Sequence, residues 1–254
     1  MTAAGSAHRT HGNPLRMFFS PAPWAATGYL ATYIVTGTLL FSVALTVVLT
    51  AGVLSIVWVG LPLLVAAAVV VRGSANVERF RAALVTEPIP AAYREVVGSG
   101  LFAQLKTRWA DPATLRDLVY LVLLYVPLLV LDTVVLAVWL AFVGMITVPL
   151  WFWSIPQDFD GGTTAHGVMI GYLEQPRNSF GGGEFGIWVG DLPTALGVAA
   201  VFFVLSLALS YVVTGAARLH AGIARALLAP YTDPLAPAKR TLDEAGPLSR
   251  SAVD

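Results

Sequence analysis

Apolar residues gather in four long runs, and polar connections separate them. The first is "TGYLATYIVTGTLLFSVALTVVLT" (27–50) and the second "VLSIVWVGLPLLVAAAVVV" (53–71). A third stays apolar from Leu118 to Trp153 and is broken only by Asp132. The fourth is "LPTALGVAAVFFVLSLALSYVVTG" (192–215). Each supplies the ~20 apolar residues that a helix needs to cross the hydrocarbon core. The pattern predicts an all-α integral membrane protein with four transmembrane helices. The N-terminal run follows basic residues as a secretory signal would, but it is too long and a second run follows at once. It reads as a retained anchor.

Composition agrees: 57% of the residues are hydrophobic and 12% charged, whereas a soluble domain carries about 25% charged residues. There is no cysteine, so neither a disulfide framework nor a thiolate metal site is available. Charge distribution adds direction. Of the 15 basic residues, only Arg177 falls in the 154–191 connection; the others precede 27, lie within 72–117 or follow Gly215. The positive-inside rule then predicts an N-in/C-in arrangement of four spans, with 154–191 outside. Splitting 118–153 into two short spans would send the basic tail outside, against the same rule.

A shift of about 90 residues reveals a weak internal match. Tyr29-Leu30 falls on Tyr120-Leu121, and "GVLSIVWVGLPLL" (52–64) resembles "GMITVPLWFW" (144–153). Each copy opens on a proline, at Ser20-Pro21 and Asp111-Pro112. Asp111 can cap a helix whose first turn holds Pro112. The expected organisation is a cytoplasmic segment 1–26, a first hairpin 27–71 and a cytoplasmic loop 72–117. A second hairpin, 118–215, carries the insertion 154–191, and a connector tail 216–254 follows.

The ordered set Trp24, Gly28-Tyr29-Leu30, "VWVGLPLL" (57–64), "VERFRAAL" (77–84), "DPATLRDLVYL" (111–121), "TVPLWFW" (147–153) and "LHAGIARALLAP" (219–230) resembles a known family. This is the sensor domain found at the N-termini of many actinobacterial histidine kinases and as stand-alone membrane proteins. Leu115 stands where the family pattern has tryptophan, and Asp132 where it is apolar. The resemblance implies a multi-pass protein of the cell membrane, with a histidine kinase or another cytoplasmic signalling protein as partner. It also implies that "LSRSAVD" (248–254) is similar to the start of a kinase connector. Pro230, Pro234, Pro237 and Pro247 make a rigid helical rod through the tail unfavourable.

Asp132 sits near mid-bilayer, where a carboxylate costs ~2.5–3.5 kcal/mol on insertion scales. It is either a proton- or ligand-responsive group or a carboxyl bonded to Thr36, Thr38, Ser42 or Ser206. The insertion offers Asp158, Asp160, His166, Glu174 and Glu184 as polar candidates for ligand binding. "DFDGG" echoes a calcium loop without its twelve-residue ligand order, so no metal site is assigned. Trp151, Trp153 and Trp188 suit a membrane interface, which leaves Tyr172 and Phe180 as candidates for a ligand cap. In the basic loop, Val77, Phe80 and Leu84 share one helical face, with Glu78, Arg79 and Arg81 off it, as for an amphipathic helix on the inner surface whose arginines meet lipid phosphates. Leu101, Leu105 and Trp109 pattern likewise. His220 falls among headgroups after the last span.

No "HExxH", Walker A or Ser–His–Asp order is present, and the balanced charge argues against nucleic acid as a partner. No cofactor is implied. The function expected is a non-enzymatic membrane sensor; the alternative is a small permease or transporter subunit. Partners expected are the lipid bilayer, a cytoplasmic signalling protein and a second copy in a homodimer.

Overall fold

A computed structural model of the chain describes residues 13–230, apart from Val59, Val97, Ser99, Asp160 and Gly161. Of the connector expected at 216–254, residues 216–228 continue the last helix and those beyond Pro230 lie outside the described residues, as does the candidate Asp160. The helices are α1 (Pro14–Phe18), α2 (Pro21–Leu54), α3 (Gly60–Ala82), α4 (Leu101–Trp109), α5 (Pro112–Leu118), α6 (Tyr125–Ile146) and α7 (Leu192–Leu228). A π-helical stretch, Val119–Leu123, joins α5 to α6. Four helices are long and apolar enough to cross a membrane: α2 with the 3₁₀ turn that follows it, α3, α6 and α7. The chain is a membrane protein of mostly helical build.

The expectation of an all-α fold needs correction, because the insertion between α6 and α7 is built of strands. They are β1 (Pro156–Phe159), β2 (Thr163–His166), β3 (Val168–Tyr172), β4 (Ser179–Gly181) and β5 (Glu184–Val189). β1 and β2 pair antiparallel, and a second antiparallel sheet has the order β3-β5-β4. The cause is local. "VMIGY" and "EFGIWV" are rich in β-branched and aromatic residues, which suit a pleated surface. Gly171 faces Gly186 across the ladder at φ +100, where a Cβ would come within 2.2 Å of the Phe185 carbonyl oxygen.

The chain divides into two compact units. The first takes α1, α2 as far as Leu39, Leu84–Thr86 and the chain from Tyr125 to Gly222. Its centre holds edge-to-face aromatics, with Phe18 5.8 Å from Trp139 and 5.7 Å from Phe203, and Trp24 5.8 Å from Trp139. Such pairs place the positive ring edge on a negative ring face. A second apolar cluster fastens the sheet to the start of α7 through Val148, Phe152, Val189, Ala195 and Val198.

These contacts also fix direction within the first unit. Trp24 meets Trp139, whereas Tyr33 and Thr38, further along α2, both meet Tyr125 at the start of α6. This part of α2 therefore runs antiparallel to α6. A chain of four alternating spans lays its first and third spans parallel, so the packing departs from the direction read from charge. The two arginines ahead of α2 carry little weight in that count, and charge patterning contains no record of which ring packs on which.

The second unit takes α2 from Leu40, α3, Glu87 to Leu124 and the chain from Ile223. The turn between α2 and α3 places Trp58 in the left-handed region, at φ 64. Asp111 caps α5 as expected, its Oδ1 accepting the Ala113 N–H at 3.0 Å with Pro112 in the first turn. The stretch 77–82 belongs to α3 itself, with Val77 and Phe80 exposed and Glu78, Arg79 and Arg81 buried. The expected amphipathic face is present, but its arginines point into protein. The Trp109 indole N–H donates to the Leu64 carbonyl at 2.9 Å.

Candidate functional site

Asp132 and His220 form a pair inside the first unit. Both are fully buried, and Asp132 Oδ2 lies 2.7 Å from His220 Nδ1. α6 supplies the carboxylate on the face that also buries Leu128, Leu136 and Trp139. α7 supplies the imidazole on a stripe of small residues, Val213, Ala217 and Ala221, that lets another helix approach closely. Tyr29 and Tyr33 of α2 enclose the imidazole, with ring centroids 5.2 and 4.5 Å away, both edge-on to it.

His220 is thus the partner of Asp132, in place of the hydroxyls expected from sequence, and it is not a headgroup residue. Thr36 turns back to the Thr32 carbonyl, and the Thr38 hydroxyl meets Tyr125. Among the described residues, Asp132 Oδ1, Ser206 Oγ and Trp139 Nε1 are buried without a hydrogen-bond partner. Removing either partner of a buried pair such as Asp132–His220 costs about 3–5 kcal/mol.

Among the described residues, the acidic and histidine side chains of the insertion form no common cluster. Asp158 on β1 and His166 on β2 are exposed, and Asp158 accepts the Thr164 hydroxyl at 2.8 Å. Glu184 is buried and has a structural task. Its Oε1 accepts the Glu174 backbone N–H at 3.0 Å, and Arg177 lies 3.9 Å from its Oε2. The Ser179 hydroxyl, and then the Glu174 N–H, hold its carboxyl below the usual range. The Glu174 side chain itself is exposed. Among the described residues, no three of these acids and histidines are grouped to hold a metal ion. Tyr172 and Phe180 do come together, through a residue that sequence reading passed over. Each is the cross-strand partner of Phe185, and the three exposed rings form one row across the sheet.

A second polar cluster lies within the second unit. Arg79 Nη2 donates to Asp117 Oδ1 at 2.8 Å and its Nε to the Leu228 carbonyl at 2.9 Å. The Tyr93 hydroxyl donates to the other Asp117 oxygen at 2.6 Å. Arg81 pairs with Glu78, which also accepts the Tyr120 hydroxyl at 3.0 Å, and Arg72 pairs with Asp111 at 3.0 Å. Burial pushes the Asp117 carboxyl up to about 6, against the pull of Tyr93 and Arg79. Burial also pushes the Tyr93 phenol up to about 12, with the Asp117 carboxylate adding to it. The signal in the sequence was Glu78 and Arg81 at i,i+3, a spacing that pairs charges along one helix face.

A family model described as "Putative sensor" matches residues 29–228. The chain belongs to this sensor family. No curated protein and no solved structure matches the chain. The sensor-family match opens on Tyr29, which packs on His220, and closes on Leu228, whose carbonyl receives Arg79. It therefore takes in the Asp132–His220 pair, the stranded insertion and the buried arginines.

Proposed function

We propose that the chain is a non-enzymatic membrane sensor that passes an envelope or membrane stimulus to a cytoplasmic partner, a histidine kinase or another signalling protein. The observation that carries this reading is the sensor-family match across 29–228. The buried Asp132–His220 pair supports it as a polar junction that ties α6 to α7 and, through Tyr29 and Tyr33, to α2. A stimulus shifts helices between two packings only by its different affinity for the two. α7 is the relay: it carries His220 and, two turns later, Leu228.

The same reading assigns the insertion to the outer side and the chain after α7 to the cytoplasm of a cell membrane, because the basic residues crowd into 72–117 and beyond 215. The paired prolines and the Tyr-Leu dipeptides support two related halves. Tyr29, Leu30, Tyr120 and Leu121 are all buried.

The test compares transcript profiles and solute uptake in cells carrying the wild-type chain, its deletion or Asp132→Asn. A sensor predicts that deletion and Asp132→Asn shift an overlapping set of transcripts while uptake stays level. Unchanged transcripts with a loss of uptake would establish the permease reading instead.

A further inference from the structure

Within the second unit, three arginines and three carboxylates neutralise one another: Arg72 with Asp111, Arg79 with Asp117, and Arg81 with Glu78. Arg94 and Arg116 are, with Lys106 and Arg108, among the cations outside these pairs. Neither Arg94 nor Arg116 has a carboxylate partner among the described residues, and Arg116 Nε is buried without a hydrogen-bond partner. Both line a cavity of about 510 Å³. The rest of its wall is largely apolar, from Ala92, Ala113, Pro230 and the ring of Tyr93.

The one acid on the wall, Asp111, is already engaged. Its Oδ1 accepts the Ala113 N–H, and its Oδ2 accepts both the Arg72 guanidinium and the Arg94 backbone N–H. The Tyr93 hydroxyl is likewise committed to Asp117. Two guanidiniums are therefore the unanswered charge of the cavity. A guanidinium is a planar fork that matches phosphate oxygens, and it tolerates partial desolvation better than an ammonium does. The volume is that of a small-molecule site, and clustered arginines beside membrane helices attract anionic headgroups.

We propose that this cavity binds a phosphate-bearing anion through Arg94 and Arg116, with the apolar wall holding the glycerol or carbon end of the molecule. The phosphate comes from an anionic phospholipid or from a soluble phosphate ester. The inference is independent of the sensor reading, since it concerns binding alone.

The test is thermal melting of the full chain in a zwitterionic detergent, followed by tryptophan fluorescence. The probes are dioctanoyl phosphatidylglycerol, dioctanoyl phosphatidylcholine, glycerol 3-phosphate and inorganic phosphate. The expected result is a midpoint raised by several degrees at saturation, as ligand binding to the folded state requires. Phosphatidylglycerol acting alone identifies a lipid source, and an equal response to glycerol 3-phosphate identifies a soluble one. The double variant Arg94→Gln/Arg116→Gln should lose the shift. Ala92→Trp, which fills the cavity without altering charge, should lose it as well and covers the case in which the double variant fails to fold. The proposal is overturned if no anion shifts the midpoint, if phosphatidylcholine matches phosphatidylglycerol, or if folded variants keep the full response.

Discussion

At the scale of single residues, Asp117 makes the sharpest claim. Its carboxyl is raised to about 6 from 3.8 because it is buried, although Arg79 and Tyr93 both bond to it. Between those two values the folded protein holds a proton that the unfolded chain has released. Stability from this group is therefore complete below about pH 4, falls as pH rises to about 6, and is flat above that. Melting midpoints for wild type and Asp117→Asn, measured from pH 4 to 7 in detergent, isolate the effect. The wild-type-minus-variant difference should fall across pH 4–6 and then level off. A difference that is flat or rising in that window would remove Asp117 as the titrating group.

At the scale of elements, what the sequence made legible followed physical range. The four apolar runs emerged as helices because length and hydropathy are properties of one segment. The α5 cap was legible because Asp111 and Pro112 act within one turn. Asp132 stood out as a lone acid in an apolar run, but its partner lies 88 positions away on another helix, a separation that no local pattern encodes. His220 and Glu78 were misplaced for one reason: a charged residue beside an apolar run looks solvated until its partner is known. The strands were not legible because each is only three to six residues long and glycine interrupts both "VMIGY" and "EFGIWV". Gly171 tests that sheet. Gly171→Ala forces a Cβ onto the Phe185 carbonyl at a backbone angle that costs on the order of 1–3 kcal/mol. It should expose 155–190 to limited proteolysis while the helical circular dichroism persists. Gly197→Ala on α7, with open space around its Cβ, should be neutral or gain up to about 1 kcal/mol. Equal proteolysis of the two variants would mean that β3 and β5 are not paired as described.

At the scale of the whole molecule, the direction of α2 is the point on which charge and packing disagree. The rings of Trp24 and Tyr33 set its first part against α6 head to tail. The chain has no cysteine, so single-cysteine labelling reads out one site at a time. With an impermeant maleimide on intact cells, Phe19→Cys and Phe180→Cys should label together, and Ala226→Cys only after lysis. Labelling of Phe180→Cys without Phe19→Cys would restore the parallel order and refute the aromatic packing. The stranded insertion has its own consequence. Its ladders join only residues between Pro156 and Val189, so every backbone pairing closes before α7 begins. Low contact order of this kind favours rapid formation. On the ribosome, the sheet can be complete while the helix that carries His220 is still being made, so that helix docks onto a finished cap.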